Sequence, residues 1–74
     1  MAQSDESFDA RQELLRILLK RVQNERHPSA TMMNLIEQLM GPEERAVYAR
    51  LLLEKINGDR WPSLQMIRRV MALG

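Results

Sequence analysis

Two short stretches decide the fold of this chain: Arg26-His27-Pro28-Ser29 and Arg60-Trp61-Pro62-Ser63. In each stretch the proline favours an extended conformation at the residue before it, which interrupts a helix. The serine that follows is a good N-cap, because its hydroxyl accepts a hydrogen bond from a first-turn amide. Each stretch therefore predicts a turn between two helices, and the chain contains two helix–turn–helix hairpins.

Helical periodicity surrounds both turns. Leucine, methionine, arginine, glutamate and glutamine dominate, and no sustained alternation of apolar and polar residues indicates a strand. We therefore predict an all-α fold of four helices, over about residues 9–23, 30–40, 42–56 and 64–73. Asp9, Ser29 and Ser63 are the expected N-caps, Gly41 the expected end of the second helix, and Pro42 the expected first residue of the third.

Apolar residues at helical spacing predict which sides of the helices are buried. Trp61 is the only tryptophan. Because its ring has the largest area to bury, we expect it in the core. Methionine packs adaptably, and we expect the helical methionines to be ordinary core residues as well. The predicted buried positions are Leu14, Leu15, Leu18, Leu19 and Val22 in the first helix, Met32, Met33, Ile36 and Leu39 in the second, and Leu64, Ile67, Val70 and Met71 in the fourth.

The two hairpins resemble each other in sequence. Residues 13–40 align with residues 47–74 without a gap, at an offset of 34 residues. Eight of the 28 pairs are identical, where ordinary composition would give about two. The identities cluster at the turn and on the apolar faces. This pattern predicts an internal duplication within one domain, residues 1–74, with the hairpins packed about a pseudo-twofold axis as a compact four-helix domain or half of a dimeric bundle.

Composition argues against several functional classes. The chain has no cysteine and one histidine, so we expect no disulfide, no metal site and no nucleophile–base pair. No glycine-rich phosphate loop occurs, and we expect neither a cofactor nor an enzymatic activity. The acidic, polar start does not resemble a secretory signal, and no apolar run is long enough to cross a membrane. The sequence therefore predicts a cytoplasmic protein.

Five residues are candidates for an interaction site: Arg26, Arg60, Trp61, Arg68 and Arg69. An arginine stands beside a ring at both turns, which a helix cap does not require; a simpler explanation is that Glu25 and Asp59 pair with these arginines. Arg68 and Arg69 occupy positions at which the first hairpin has asparagine and leucine. Divergence between two repeats marks a place where the repeats have different roles.

Two functions fit these features. A chain this short buries a core worth only about 3–5 kcal/mol, and self-association is the remaining route to more buried area. The main prediction is a small non-enzymatic protein–protein interaction module that forms a homo-oligomer. The alternative is a DNA-binding regulator that uses a basic face of Arg60, Arg68 and Arg69. A net charge of +1 disfavours this alternative, because neutralisation of phosphates drives nucleic-acid affinity.

Overall fold

The computed structural model describes residues 8–74 and confirms the all-helical prediction for them. Its four helices are α1 (Ala10–Asn24), α2 (Ala30–Leu39), α3 (Pro42–Gly58) and α4 (Leu64–Leu73). Helices α1 and α2 pack together as a first hairpin, and α3 and α4 pack together as a second. The remaining helix contact joins α1 to α3, so the hairpins lie against each other and share a core.

Serine and aspartate begin three of the helices, as the sequence predicts. The Ser29 hydroxyl accepts from the Met32 N–H at 3.1 Å, and the Ser63 hydroxyl accepts from the Met66 N–H at 3.3 Å. The Asp9 carboxylate accepts from two first-turn amides, at 3.1 and 3.3 Å. These bonds satisfy amides that have no partner within the helix, and they fix where α1, α2 and α4 begin.

Gly41 begins α3 rather than ending α2, contrary to the prediction. Helix α2 already ends at Leu39, and Gly41 is the N-cap of α3. Its N–H donates to the Glu44 carboxylate at 2.7 Å, while Pro42 stands at the first helical position as expected. The link between the hairpins is therefore two residues long.

The core draws on all four helices. Its buried members are Leu15, Val22, Met33, Ile36, Tyr48, Leu52 and Met66. The expectation that methionine serves as ordinary core is confirmed at Met33 and Met66. Four side chains predicted in the core are instead well exposed: Trp61 (83%), Met71 (74%), Leu64 (69%) and Leu14 (45%).

The predicted core side of α4 holds for Val70 but is wrong at Leu64 and Met71, for a geometrical reason. The helix turns Met66, Val70 and Leu73 toward the core. Leu64 and Met71 lie roughly 150° away around a helix of 3.6 residues per turn, so they do not face the same neighbours. The apolar residues of α4 cover about half of its circumference, and Gln65, Arg68 and Arg69 occupy the rest. Because this apolar stripe is wider than the side that the core buries, the sequence periodicity did not show which part of it would be buried.

A shared carboxylate links the two hairpins. The Tyr48 hydroxyl donates to Glu37 Oε2 at 2.6 Å, and Arg69 Nη1 donates to the same oxygen at 2.8 Å. Arg69 Nη2 also donates to the Ala30 carbonyl at 3.5 Å. We call Glu37, Tyr48 and Arg69 the junction triad. Burial of the Tyr48 ring, followed by the neighbouring Glu37 carboxylate, raises the pKa of Tyr48 well above its ordinary value.

Weaker polar contacts continue the junction toward the turns. Lys55 Nζ donates to the Gln23 carbonyl at 3.2 Å. The Asp59 carboxylate lies 3.8 Å from Arg26 Nη2 and 3.9 Å from His27 Nδ1. Arg26 is exposed, so this ion pair contributes less to stability than the junction triad does. It places the turn of the first hairpin beside the end of α3.

The contacts between the hairpins are not symmetric. A contact that a residue of the first hairpin makes with the second is not repeated when the two hairpins are exchanged. Under a twofold axis, the Glu37–Tyr48 contact would recur as Met71 against Leu14, and the Arg26–Asp59 pair would recur as Arg60 against Glu25. Met71 is largely exposed, and no Arg60–Glu25 ion pair occurs within residues 8–74. The side-chain contacts between the hairpins therefore do not follow the expected pseudo-twofold axis.

The burial of aligned residues also differs between the two hairpins. Met33 and Ile36 of α2 are buried, whereas Ile67 and Val70, 34 residues later in α4, are only half-buried. Conversely Leu52 of α3 is buried and Leu18 in α1 is half-buried. Aligned positions of the two hairpins therefore differ in their surroundings.

Removal of the shared carboxylate should destabilise the fold strongly. Glu37→Ala would leave the buried Tyr48 hydroxyl and the Arg69 guanidinium without their acceptor. We expect a loss of about 2–3 kcal/mol, below the ~3–5 kcal/mol typical of a fully buried pair because Glu37 is partly exposed. Urea unfolding followed by circular dichroism measures the loss. Glu54→Ala, at an exposed position of α3, is the control, and equal losses in both variants would contradict the role of the triad.

The raised pKa of Tyr48 sets an alkaline limit to stability. The folded state keeps the phenolic proton at a pH where the unfolded chain, with a pKa near 10, has lost it. The contribution of this group is therefore complete below about pH 10 and decreases as the pH rises toward the folded pKa. Tyr48 is the only tyrosine, so ultraviolet absorbance reports its ionisation directly. Tyrosinate should appear only as helical circular dichroism is lost; tyrosinate in a fully helical chain would refute this.

Candidate functional site

The side of α4 that points away from the core is the candidate functional site. Leu64, Arg68 and Met71 stand there at spacings of four and three, so they share one side of the helix. All three are exposed, and exposed Trp61 lies in the turn that leads into α4. We call Trp61, Leu64, Arg68 and Met71 the outer face.

The outer face leaves an unusual amount of apolar area in water. A helix on the surface of a domain ordinarily has polar residues opposite its core side, whereas α4 has Leu64 and Met71 beside Arg68 there. Scattered exposed leucines are common, but several large apolar side chains on one surface are typical of interaction sites. Burial against another molecule would give α4 the environment that its composition favours.

The residues predicted for the interaction site are distributed over three places. Arg60, Trp61 and Arg68 are exposed at the second turn and on the outer side of α4. Arg26 is exposed at the first turn, where it pairs with Asp59 rather than with the adjacent Glu25. Arg69 lies on the core side of α4, and its side chain is only 12% exposed.

The position of Arg69 reduces the proposed basic face. Its Nη1 donates to Glu37 and its Nη2 to Ala30, and its buried Nε has no hydrogen-bond partner in the described part of the chain. The guanidinium is therefore committed to the junction. Arg60 and Arg68 remain exposed, and two arginines do not make the basic stripe that is typical of nucleic-acid binding.

Sequence reasoning missed Leu64 and Met71 as surface residues and Glu37 and Tyr48 as junction residues. For Leu64 and Met71 no sequence signal was present, because their spacing in α4 also fits a core side. For the junction a signal existed in the alignment of residues 13–40 with residues 47–74. Tyr48 aligns with Leu14, and Glu37 aligns with Met71. A polar residue in one repeat opposite an apolar residue in the other indicates that the two positions have different surroundings.

Metal and membrane sites find no support in residues 8–74. No three histidine, cysteine, aspartate or glutamate side chains of this range come together as metal ligands would need to. None of the four helices combines the length and the apolar character needed to span a bilayer.

No protein-family model, curated protein or solved structure matches this chain. A function is therefore proposed from the surface of the molecule itself.

The exposure of Trp61 predicts that this ring contributes little to the stability of the single chain. Trp61→Ala should change the free energy of unfolding by less than about 0.5 kcal/mol, whereas a core tryptophan would cost about 3–5 kcal/mol. Leu52→Ala, at a fully buried position, is the control and should cost about 2–5 kcal/mol. Urea unfolding measures these free energies, at the lowest protein concentration that can be measured so that association is minimal. A large loss for Trp61→Ala would place the ring in the core.

Proposed function

We propose that this chain is a helical protein–protein interaction module that associates with copies of itself through the outer face. The observation that carries the proposal is the exposure of Leu64 and Met71 on the side of α4 that points away from its own core. Trp61, which is also exposed, lies in the turn that leads into α4. Tryptophan, methionine and arginine are enriched at protein interfaces, and the outer face contains all three.

The free energy available from this surface is large for a chain of 74 residues. Full burial of a leucine or methionine side chain contributes about 1.5–3 kcal/mol relative to exposure. A tryptophan has still more area, and tryptophans are frequent among the residues that dominate binding energy. Association through the outer face could therefore match the small core in its contribution to stability.

DNA binding receives less support as an alternative. Arg69 is engaged with Glu37, which leaves Arg60 and Arg68 as the exposed members of the predicted basic face. A protein that contacts few phosphates releases few counterions and binds duplex weakly at physiological salt. Under this alternative the chain should bind random duplex at low salt, and Arg60→Glu with Arg68→Glu should abolish that binding.

Sedimentation equilibrium from micromolar to millimolar concentration tests the proposal. The average mass of the unmodified chain should rise with concentration, because apolar burial at the outer face favours the associated state. Leu64→Glu with Met71→Glu should remain a monomer, since a carboxylate buried in the interface is strongly unfavourable.

A matched control is available on α3. Val47 and Leu53 are also exposed apolar residues, but they lie outside the outer face. Val47→Glu with Leu53→Glu should associate as the unmodified chain does, and circular dichroism should show that both double variants are helical. A monomeric unmodified chain over the whole range, or equal association of the two variants, would refute the proposal.

A further inference from the structure

We infer that the association is head-to-tail: the outer face of one copy packs against the exposed side of the first hairpin of the next copy. This inference rests on the proposed self-association and specifies its geometry. In this arrangement the contact between two copies repeats the junction that already joins the two hairpins within one copy. The partner that fits the outer face is therefore a second copy of this chain.

The exposed residues around the second turn and on α4 correspond to the junction residues of the first hairpin. Within one copy, the first hairpin meets the second through Arg26, His27, the Ala30 carbonyl and Glu37. The residues 34 positions later in the sequence are Arg60, Trp61, Leu64 and Met71. All four are exposed. The outer face thus corresponds to the residues that the first hairpin uses at the junction, whereas in the second hairpin these positions contact no other hairpin of the described chain.

The first hairpin has the complementary open side. The second hairpin contributes Tyr48, Lys55, Asp59 and Arg69 to the junction. The residues 34 positions earlier are Leu14, Arg21, Glu25 and Leu35, which we call the receiving face. Leu14 is about as exposed as Leu35, which is 42% exposed, and Arg21 is exposed as well.

Apolar residues replace the junction triad where two copies would meet. The 34-residue correspondence in sequence pairs Met71 with Glu37, Leu14 with Tyr48 and Leu35 with Arg69. The triad is a mutually satisfied polar set, and its counterpart is three apolar side chains. If only some of the three positions were polar, the contact would bury an unpaired carboxylate or guanidinium, which is strongly unfavourable. All three positions differ between the repeats in a mutually compatible way.

The polar contacts of the junction also keep their pattern of cations and acceptors in the proposed contact between two copies. The Arg26–Asp59 pair becomes Arg60 of one copy against Glu25 of the next, again an arginine opposite a carboxylate. The bond from Lys55 to the Gln23 carbonyl becomes a bond from Arg21 to the carbonyl of Asn57, again a cation opposite a backbone oxygen. No pair brings like charges together, so the two open sides are complementary in charge as well as in polarity.

A symmetric contact between two outer faces fits the structure less well. It would bury Leu64 and Met71 but leave Leu14 and Leu35 exposed on both copies. It would also bring Arg60 and Arg68 of two copies into one interface, without a carboxylate from the outer face to oppose them. The head-to-tail contact covers both apolar surfaces at once.

A head-to-tail contact has a distinctive consequence for the assembly. Because each copy keeps one open side after pairing, association does not stop at a dimer but continues to an open row or a closed ring. Each addition extends a stack of hairpins, and stacked repeats gain stability from every new neighbour. The unmodified chain should therefore show a mass that increases beyond that of a dimer as its concentration rises.

Two blocked variants test this geometry. One variant has the outer face blocked by Leu64→Glu with Met71→Glu, and the other has the receiving face blocked by Leu14→Glu with Leu35→Glu. Each alone should sediment as a monomer, because one of the two required surfaces is missing. An equimolar mixture should form a dimer and nothing larger, because only one productive contact is left.

The outcomes separate the geometry from the proposed function. If the unmodified chain is a monomer, self-association itself fails, and the geometry with it. If the unmodified chain associates and the variant blocked at the receiving face still associates equally well, self-association stands and the head-to-tail contact is refuted. An absence of dimer in the mixture of two helical variants also refutes the head-to-tail contact.

A charge exchange provides a test that does not depend on core-adjacent leucines. Arg60→Glu and Glu25→Arg should each lower the association constant roughly tenfold, because each places like charges opposite one another. The chain that carries both substitutions should regain most of the loss, since the pair is restored with its signs exchanged. Both residues lie at the surface, at turns, so the three chains should unfold at similar urea concentrations. Additive losses in the double variant would show that Arg60 and Glu25 do not meet.

Discussion

The fold depends on one shared carboxylate. Glu37 lies on α2 and accepts from Tyr48 on α3 and from Arg69 on α4, so three helices converge on a single oxygen. Local caps set where α1, α2 and α4 begin. The docking of the hairpins, however, requires the Tyr48 hydroxyl and the Arg69 guanidinium to lose water, and this is favourable only with an acceptor in place.

The same constraint makes the two hairpins unequal. They share their turn residues and their serine caps, and they begin α2 and α4 with the same local geometry. Their surroundings differ, because the first hairpin uses one side of the unit at the junction and the second uses the opposite side. Each hairpin is left with one unused side, and on each unused side the triad positions are apolar. An arrangement with a twofold axis would have used the same side twice and left no such pair of surfaces.

The proposed assembly follows from this inequality. In the proposed assembly, other copies of the chain bury both open sides. The exposed tryptophan, leucines and methionine then serve a purpose that the single chain does not provide. The exposed arginines flank this surface and are suited to orienting a partner.

The sequence by itself determined the helices and their boundaries to within a residue or two. Caps and turns act over a few residues, so Ser29, Pro62 and Ser63 set the ends of their helices through local contacts alone. The sequence determined less about burial: Val22, Met33 and Ile36 lie in the core as predicted, but Leu64, Met71 and Trp61 do not. The apolar stripe of α4 is wider than the side that its core covers, so the sequence pattern fits more than one direction of burial.

Only the tertiary structure decided which direction was used, and with it the position of the candidate site. The deciding contacts join residues far apart in the chain: Glu37 to Arg69 and Gln23 to Lys55. Such contacts depend on how the hairpins pack and leave no local periodicity in the sequence. The alignment of the repeats did contain a trace of them, in the opposition of Tyr48 to Leu14 and of Glu37 to Met71. These differences could be interpreted only when the packing showed which member of each pair lies at the junction and which is exposed to water.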